Sequence, residues 1–347
     1  MSHIFTHKIQ EWYLDNGRDL PWRNTRDPYR IWVSEIILQQ TRVVQGMSYY
    51  HRFLEAFPDI ESLASAHEDQ VLLLWQGLGY YSRARNMLCA ARQIVEMGGF
   101  PEDYGQILSL KGVGEYTAAA IASFAFDIPK AVVDGNVLRI LSRYFGIETP
   151  INSSAAHREF RTLAQEMLDI RHPALYNQAI MDFGALQCVP KSADCLCCPL
   201  SDSCHAFLNK KVHLLPRKTK PVKIKSRYFT YFYITNPRNE ILIQQRKERD
   251  IWQHLYQLPV VESSHTLSHA EICALFPQST ITLLVAPVRH QLTHQRIEAQ
   301  CIGLECVPHK TLPFSGIWVP QHSIQEYVFP QLLIRILERI FTDGKGG

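Results

Sequence analysis

The sequence predicts a multidomain protein in which an all-α domain is followed by an α+β domain. A chain of 347 residues is long enough for two domains with separate cores. Up to about residue 208, apolar residues recur at helical spacing between Gly and Pro residues, as in "ESLASAHEDQVLLLWQGLG". After Arg227, β-branched and aromatic residues dominate, as in "RYFTYFYIT", and this composition is typical of strands.

A basic segment separates the two predicted domains. Between Lys210 and Arg227 the chain has eight Lys and Arg residues and no acidic residue, and Pro216 and Pro221 interrupt it. Such a segment is typical of a solvated linker, and it would also lie favourably along a phosphate backbone. We therefore predict a helical domain at 1–208, a linker at 209–226 and a second domain at 227–347.

The second domain shows both strand and helix signals. "RYFTYFYIT", the turn "NPRN" and "EILIQQR" predict a β-hairpin, and "ITLLVAPV" and "RIEAQCIGLEC" predict two more strands. Ser268 and Glu271 have the spacing of a capping box, which predicts a helix. "FPQLLIRILERIF" predicts a terminal helix with Pro330 near its start.

Composition and the N-terminus bear on the compartment. Apolar residues make up 46% and charged residues 20% of the chain, as in soluble globular proteins, and the net charge of +3 is small. "MSHIFTHKIQEW" contains no long apolar run, so we predict no signal peptide, and no segment reaches the ~20 apolar residues of a membrane span. We expect a cytoplasmic monomer with reduced thiols, associated with the nucleoid if the source is a bacterium.

The stretch "WVSEIILQQT" places a carboxylate among apolar residues. Read as a helix, it puts Ile31 and Trp32 one turn before Glu35, and Leu38 one turn after it. Burial of an unpaired carboxylate costs several kcal/mol, so such a group either finds a donor or keeps its proton. Taken alone, the stretch favours a satisfied buried polar group over a functional acid.

Four cysteines have the spacing of a metal centre. Cys188, Cys195, Cys198 and Cys204 form a C-x6-C-x2-C-x5-C pattern, and four thiolates can hold either a structural zinc ion or an iron–sulfur cluster. The spacing leaves zinc and iron open. The adjacent Cys197 is excluded, because neighbouring cysteines cannot easily point at one centre.

Two further patterns are a glycine turn that could bind an anion and an aspartate at the start of a helix. In "LKGVGEYTAAAI", Gly112, Val113 and Gly114 predict a tight turn whose amides face the N-terminus of the next helix, a geometry that binds phosphate. Downstream, in "VVDGNVLRILSRYF", Asp134 stands at a helix N-cap, where backbone donors and the helix dipole stabilise its charge. Taken alone, the first pattern favours an ordinary helix–helix turn, and the second favours an ordinary helix cap.

Together and in this order, Glu35, the glycine hairpin (about 105–126), Asp134 and the cysteine loop (188–204) resemble the helix-hairpin-helix DNA glycosylases. Glu35 and the C-terminal extension resemble the MutY-type adenine DNA glycosylases. The resemblance implies a 4Fe-4S cluster on the four cysteines. It also implies a monofunctional enzyme, because strand-cutting relatives carry a Schiff-base Lys where this chain has Tyr116, and a tyrosine cannot form an imine.

The resemblance implies further functions for individual residues. Glu35 would be the general acid that protonates adenine, and Asp134 would stabilise the oxocarbenium-like sugar. The other positions fall into three groups, namely the adenine pocket, the surroundings of the sugar, and the residues that insert at the mismatch. They are Arg18, Trp22 and Gln178 in the first group, Tyr116 and Asn136 in the second, and Gln40 and Tyr80 in the third. For Trp22 and Tyr80, core packing is the alternative.

The C-terminal domain resembles the Nudix fold without its dense glutamate box. Between Asp250 and Phe276 the only acids are Asp250, Glu262 and Glu271, so we expect the domain to bind rather than to hydrolyse. In the family a Phe-Ser-His loop reads 8-oxoguanine, and here "RHQLTH" offers Thr293 and His294, with Leu292 in place of the aromatic residue.

The predicted activity is excision of adenine opposite 8-oxoguanine or guanine in double-stranded DNA during base excision repair. One alternative is a pyrimidine-lesion glycosylase with lyase activity, against which Tyr116 argues. Another is a catalytically silent iron–sulfur DNA-binding protein, against which Glu35 and Asp134 argue. Neither a membrane nor a second subunit is expected as a partner.

Overall fold

The structure is a computed structural model that describes residues 2–219, 224–277, 279–305 and 313–343. It divides into two compact units. The first comprises Met1–Ala66 and Asn86–Lys220, and the second comprises His67–Arg85 and Pro221–Gly347.

The described chain is helical up to residue 208, which confirms the predicted all-α class of this part. The α-helices are α1 (Ser2–Asn16), α2 (Pro28–Ile37), α3 (Val43–Ala56), α4 (Ile60–Ser65), α5 (Glu68–Trp75), α6 (Ser82–Glu96), α7 (Tyr104–Ser109), α8 (Glu115–Phe126), α9 (Gly135–Phe145), α10 (Ser154–Met167), α11 (Pro173–Asp182) and α12 (His205–Leu208). A short 3-10 helix at Pro21–Arg23 precedes α2, and a π-helix at Phe183–Gln187 follows α11.

Helix α8 forms the centre of the first unit. Every side chain from Thr117 to Ala125 is buried, and most of these residues are small. Small residues let neighbouring helices approach closely, and α8 packs against α2, α7 and α11. Side chains from the first turn of α8 and from the last turn of α2 therefore reach one region.

The second unit contains a mixed sheet. Its elements are β1 (Lys225–Thr235), β2 (Glu240–Gln245), β3 (Tyr256–Gln257), β4 (Val260–Ser263), α13 (His269–Leu275), β5 (Ile281–Gln291), β6 (Gln295–Glu305), β7 (Ile317–Pro320) and α14 (Gln331–Asp343), with a 3-10 helix at Gln321–Glu326. The strand order is β3-β2-β1-β6-β5, with β4 paired to β1 and β7 paired to β2. Strands β1 and β6 are parallel, and the other pairs are antiparallel.

Alternation along β1 gives this sheet two apolar faces. Phe229 and Tyr231 pack in the cluster that contains α14, whereas Phe232 and Ile234 pack in the cluster that contains α13. The predicted hairpin, the capping box of Ser268 and Glu271, and the terminal helix are all confirmed. The short strands β3, β4 and β7 lie outside the predicted elements.

Hydrogen bonds hold residues 67–85 within the second unit. Tyr81 Oη donates to the carbonyl of Phe329 at 3.2 Å, and Arg85 Nη1 donates to the carbonyl of Gln253 at 2.7 Å. His254 Nδ1 lies 3.0 Å from Glu68 Oε1. Across the described residues, no helix combines the length and apolar character needed to cross a membrane.

Candidate active site

Glu35 lies on the buried face of α2. The helix begins at Pro28 behind the N-cap Asp27, whose carboxylate accepts a hydrogen bond from the Tyr29 amide. Glu35 is only 7% exposed, and its neighbours Ser34 and Ile36 are buried too. Burial raises the pKa of Glu35 to about 7, against the lowering effects of Tyr116 and Arg23. The carboxyl group can therefore carry its proton near neutrality.

Tyr116, in the first turn of α8, is the immediate partner of Glu35. Its hydroxyl hydrogen-bonds with Glu35 and lies 3.4 Å from Sδ of Met181. Burial, followed by the nearby charges of Glu35 and Asp134, raises the pKa of Tyr116 well above its ordinary value. The tyrosine thus stays a neutral donor beside the carboxyl group.

Asp134 is the N-cap of α9. One carboxylate oxygen accepts from the amides of Asn136 at 2.9 Å and Val137 at 2.8 Å, and the other accepts from Asn136 Nδ2 at 2.9 Å. These donors favour the charged form, as predicted from the cap position. The net pKa of Asp134 is nevertheless raised, because burial outweighs the donors.

Asn136 is held in turn by Arg139, one turn along α9. Arg139 Nη2 donates to Asn136 Oδ1 at 2.9 Å and to the carbonyl of Gly184 at 2.6 Å, and Nε donates to the carbonyl of Cys188 at 2.7 Å. A Cβ atom on Gly184 would lie 2.5 Å from Asn136 Cβ, so only glycine fits there. Hydrogen bonds through Asn136 and Arg139 thus connect Asp134 to Cys188, at the start of the cysteine loop.

A cleft of about 660 Å³ joins these groups with the glycine hairpin. Glu35, Tyr116 and Asp134 line it, and so do Gln40, Gly112 and Gly114. Gly112 has φ +78°, and a Cβ atom there would meet Asn86 Cβ at 2.5 Å, so the turn requires glycine. Gly114 caps α8 without a side chain, while Val113 is buried and its amide donates to Leu110.

A second buried carboxylate, Asp182, lies at the end of α11. Its side chain is fully buried, and it accepts hydrogen bonds from the backbone amide and guanidinium of Arg18 and from the guanidinium of Arg23. The oxygen–nitrogen distances run from 2.5 to 2.9 Å. Although burial opposes it, these donors lower the pKa of Asp182.

The other two residues predicted for the base pocket are Gln178 and Trp22. Gln178 lies one turn before Asp182, and its Oε1 accepts from Tyr13 Oη at 3.2 Å. Trp22 is buried, with its ring edge-on to Tyr50 at 5.1 Å between centroids. Tyr13 Oη also lies 3.4 Å from Arg23 Nη1. A chain of hydrogen bonds through Asp182, Arg23 and Tyr13 therefore connects Arg18 with Gln178.

All four predicted metal-ligating cysteines line one cavity. Cys188, Cys195, Cys198 and Cys204 surround it with apolar neighbours such as Phe183 and Leu200, and Cys197 is not among its lining residues. Burial raises the pKa of Cys198 to about 12 and also raises those of Cys195 and Cys204. Arg143, on α9, donates to Cys188 Sγ at 3.4 Å and to the carbonyl of Val189 at 2.8 Å.

The second unit has a cleft of its own, of about 580 Å³. Tyr80, Thr293 and His294 line it, together with Leu292 and Trp252. The hydroxyls of Tyr80 and Thr293 hydrogen-bond to each other. Arg83 supports Tyr80, because its guanidinium lies over the Trp75 and Tyr80 rings and donates to the carbonyls of Leu78 and Gly79.

Comparisons with known proteins agree with this organisation. Residues 33–166 match the model of the HhH-GPD superfamily base excision DNA repair proteins, and residues 230–339 match that of the NUDIX domain. The adenine DNA glycosylase of Buchnera aphidicola subsp. Baizongia pistaciae is 37% identical over 259 residues, which cover 74% of this chain and 73% of that relative. The chain belongs to the adenine DNA glycosylase family. It is therefore a DNA glycosylase of base excision repair that hydrolyses N-glycosidic bonds.

Two further comparisons support the membership of the helical part. The adenine DNA glycosylase of Mus musculus is 42% identical over 214 residues, which cover 58% of this chain and 42% of that protein. The structure of a thermostable thymine-DNA glycosylase superimposes with a TM-score of 0.56 at 30% identity, covering 60% of this chain and 97% of that one. Both similarities support the glycosylase fold.

In this adenine DNA glycosylase family member, the three acids between Asp250 and Phe276 are engaged in ion pairs or in a helix cap. Arg227 pairs with Asp250 at 2.8 Å and with Glu262 at 2.6 Å, and Glu271 accepts from the amide and hydroxyl of Ser268. Within the residues that the structure describes, no group of three or more His, Cys, Asp or Glu side chains could hold a metal ion. The binding function predicted from the missing glutamate box stays a prediction.

Sequence reasoning did not single out three residues that shape the site. Asp182 and Arg23 form the buried ion pair, and Arg139 fixes Asn136. Asp182 could have been found, because it interrupts the apolar run "AIMDFGAL" as Glu35 interrupts "IWVSEII". Arg139 gives no such signal, since two of its acceptors, the carbonyls of Gly184 and Cys188, are brought to it by the tertiary fold.

Proposed function

We propose that this protein removes adenine mispaired with 8-oxoguanine or guanine, as a monofunctional hydrolase. The observation that carries the proposal is the pair of carboxyl groups in one cleft, where Glu35 has a pKa of about 7 and Asp134 caps α9. The names of the relatives supply adenine as the base.

Glu35 is the proton donor in this proposal. Its protonated carboxyl group protonates N7 of adenine, and the C1′–N9 bond then breaks with its electron pair on the departing base. Tyr116 orients the carboxyl group through its hydroxyl. A water molecule adds to C1′, and one of its protons restores the acid. The cationic Arg23 keeps the pKa of Glu35 from rising further, so that the group can both give and regain a proton.

Asp134 acts on the sugar. As the bond to the base breaks, positive charge develops at C1′ and the ring oxygen, and a fixed carboxylate stabilises it. Three hydrogen bonds and the N-terminus of α9 fix Asp134 before substrate arrives, so little reorganisation is needed. Asn136 is a positioning residue, since its side chain joins Asp134 to Arg139.

Binding of the mismatch is assigned to the remaining predicted residues. Arg18, Trp22 and Gln178 would form the adenine pocket, with Asp182 orienting Arg18. Gln40, with φ +59°, and Tyr80, with φ +48°, each have a conformation typical of turns and would insert into the base stack. The turn of Gly112, Val113 and Gly114 would bind phosphate through amides other than that of Val113, which donates to Leu110. Thr293 and His294 would contact the oxidised guanine opposite the adenine.

The cysteine cavity fits a 4Fe-4S cluster on Cys188, Cys195, Cys198 and Cys204. Four thiolates can hold either a structural zinc ion or an iron–sulfur cluster, and the resemblance to the glycosylase family favours iron. The four thiols surround a single apolar cavity, as the ligands of a cluster would. When bound, the cluster would supply positive iron centres that stabilise the thiolates and would cross-link the two ends of the loop, Cys188 and Cys204. Arg143 would hold that loop in place.

Single-turnover excision on four duplexes tests the proposal. They contain A opposite 8-oxoguanine, A opposite guanine, T opposite guanine, and thymine glycol opposite adenine. We expect release of adenine from the first two and no covalent complex on borohydride treatment, because Tyr116 cannot form an imine. Preferential release of thymine, or a borohydride-trapped complex, would contradict it. The T opposite guanine duplex is included because a thymine-DNA glycosylase shares the fold at 30% identity.

A further inference from the structure

A basic groove adjoins the catalytic cleft in the first unit. It has a volume of about 760 Å³, and Lys130, His157, Arg158 and Arg161 supply its basic side chains. Five lining residues belong to both the groove and the catalytic cleft. They are Tyr104, Ala131, Val133, His157 and Arg161. The groove is therefore continuous with the space that contains Glu35 and Asp134.

Positive charge predominates in this groove. Lys130 lies 4.7 Å from the centroid of the Tyr104 ring, and Arg161 pairs with Glu115, the first residue of α8, at 2.5 Å. Among the described residues, Arg158 makes no ion pair, and its side chain is exposed. Glu166 is the acid that lines the groove itself. Cations beside an aromatic ring are typical of surfaces that bind nucleic acid strands.

The backbone that carries Lys130 is fixed from both sides. Gln165, on α10, donates to the carbonyl of Pro129 at 2.9 Å and accepts from the amide of Ala131 at 3.1 Å. Asn177 Nδ2, on α11, donates to the carbonyl of Lys130 at 2.8 Å. A lysine whose backbone is held in this way loses less conformational freedom when it binds a phosphate.

We propose that this groove binds the phosphodiester backbone of the strand that carries the excised base. The inference rests on the proposed function, because the target sugar must enter the cleft between Glu35 and Asp134. The strand attached to that sugar must then leave the cleft, and the groove is continuous with it. Lys130 and Arg158 neutralise phosphates beyond the one assigned to the glycine hairpin.

Salt dependence of duplex binding tests the groove. The full-length chain with Glu35→Gln binds an A opposite 8-oxoguanine duplex without turnover, and affinity is measured from 50 to 200 mM salt. Each phosphate contact contributes about 0.9 to the slope of log affinity against log salt. Adding Lys130→Gln and Arg158→Gln should lower the slope by roughly 1 to 2. The control is Arg171→Gln, an exposed arginine outside the groove, which should leave it unchanged.

Shortened duplexes then identify the strand. The adenine strand is truncated in turn on each side of the adenine. One of these two truncations should abolish the difference in salt slope between the Glu35→Gln parent and the variant that also carries Lys130→Gln and Arg158→Gln. Truncating the opposite strand should preserve that difference. An unchanged salt slope in the double variant, or a difference that depends on the opposite strand, would overturn the inference. Failure of adenine excision in the four-duplex assay would leave these binding results intact, so the two failures are distinguishable.

Discussion

Asp182 is the buried carboxylate on which Arg18 and Arg23 converge, and replacing it with asparagine should destabilise the helical unit. Its side chain has no exposed surface, and Arg23 is only 9% exposed. In Asp182→Asn the guanidinium of Arg23 remains buried beside a neutral amide. Removing one partner of a buried pair costs about 3–5 kcal/mol, because the other charge stays desolvated.

This loss converts to a measurable shift in melting temperature. At roughly 2–4 °C per kcal/mol for a unit of this size, we expect the Tm to fall by about 10 °C at neutral pH. The pKa of Asp182 is lowered in the folded state, so its contribution is present above its ordinary pKa and is lost as the pH falls through the folded value. The difference in Tm should therefore shrink on acidification.

Circular dichroism melts of the full chain, paired with single-turnover excision, are the assay. The control is Asp202→Ala, which breaks the exposed ion pair with Lys8 and should leave the Tm nearly unchanged. In Asp182→Asn, Arg23 also loses the carboxylate that offsets its positive charge. Its effect on Glu35 should become stronger, so the pKa of Glu35 should fall. A Tm for Asp182→Asn as close to wild type as that of the control would refute this reasoning.

Three further predictions concern the cofactor, the lesion loop and the hairpin. Serine in place of any one of the four proposed ligands, Cys188, Cys195, Cys198 and Cys204, should reduce the iron content of anaerobically purified protein, whereas Cys197→Ser should not. Stoichiometric zinc without iron would overturn the assignment. Thr293→Ala with His294→Ala should reduce the ratio of the excision rate for A opposite 8-oxoguanine to that for A opposite guanine, since each hydrogen bond is worth about 1 kcal/mol. An unchanged ratio would show that this loop does not recognise 8-oxoguanine. Gly112→Ala should weaken duplex binding and lower the Tm more than Gly114→Ala, because only Gly112 has a positive φ and a crowded Cβ position; equal effects would contradict this.

Local patterns allowed much of the fold to be predicted from the sequence. The hairpin of β1 and β2, the Ser268 capping box and the terminal helix all follow from short-range rules on turns and caps. The parallel pairing of β1 with β6 does not, because it joins residues about seventy positions apart. Likewise, residues 67–85 have an ordinary helical pattern in the sequence. Their association with the second unit, which includes the hydrogen bond from Tyr81 to Phe329, is visible only in the structure.

The candidate site shows the same division between local and long-range information. Glu35 could be singled out because a carboxylate interrupts an apolar face, and Asp134 because it occupies a helix N-cap. The pKa of Glu35 could not be assigned a value in the same way, because it depends on Tyr116 and Arg23 from other elements. The raised pKa of Asp134 also needs the structure, since a cap position alone favours the opposite direction.

The pH dependence of single-turnover adenine release tests the general-acid function of Glu35 most directly. The duplex carries A opposite 8-oxoguanine, and wild type is compared with Glu35→Gln from pH 6 to 9. With a pKa of about 7, Glu35 is half protonated at pH 7, and the protonated fraction falls to about one-tenth at pH 8 and about one-hundredth at pH 9. We predict a wild-type rate that declines in parallel above pH 7, and no excision by Glu35→Gln although it still binds the duplex. A wild-type rate that is flat or rising from pH 7 to 9, or substantial excision by Glu35→Gln, would contradict the account.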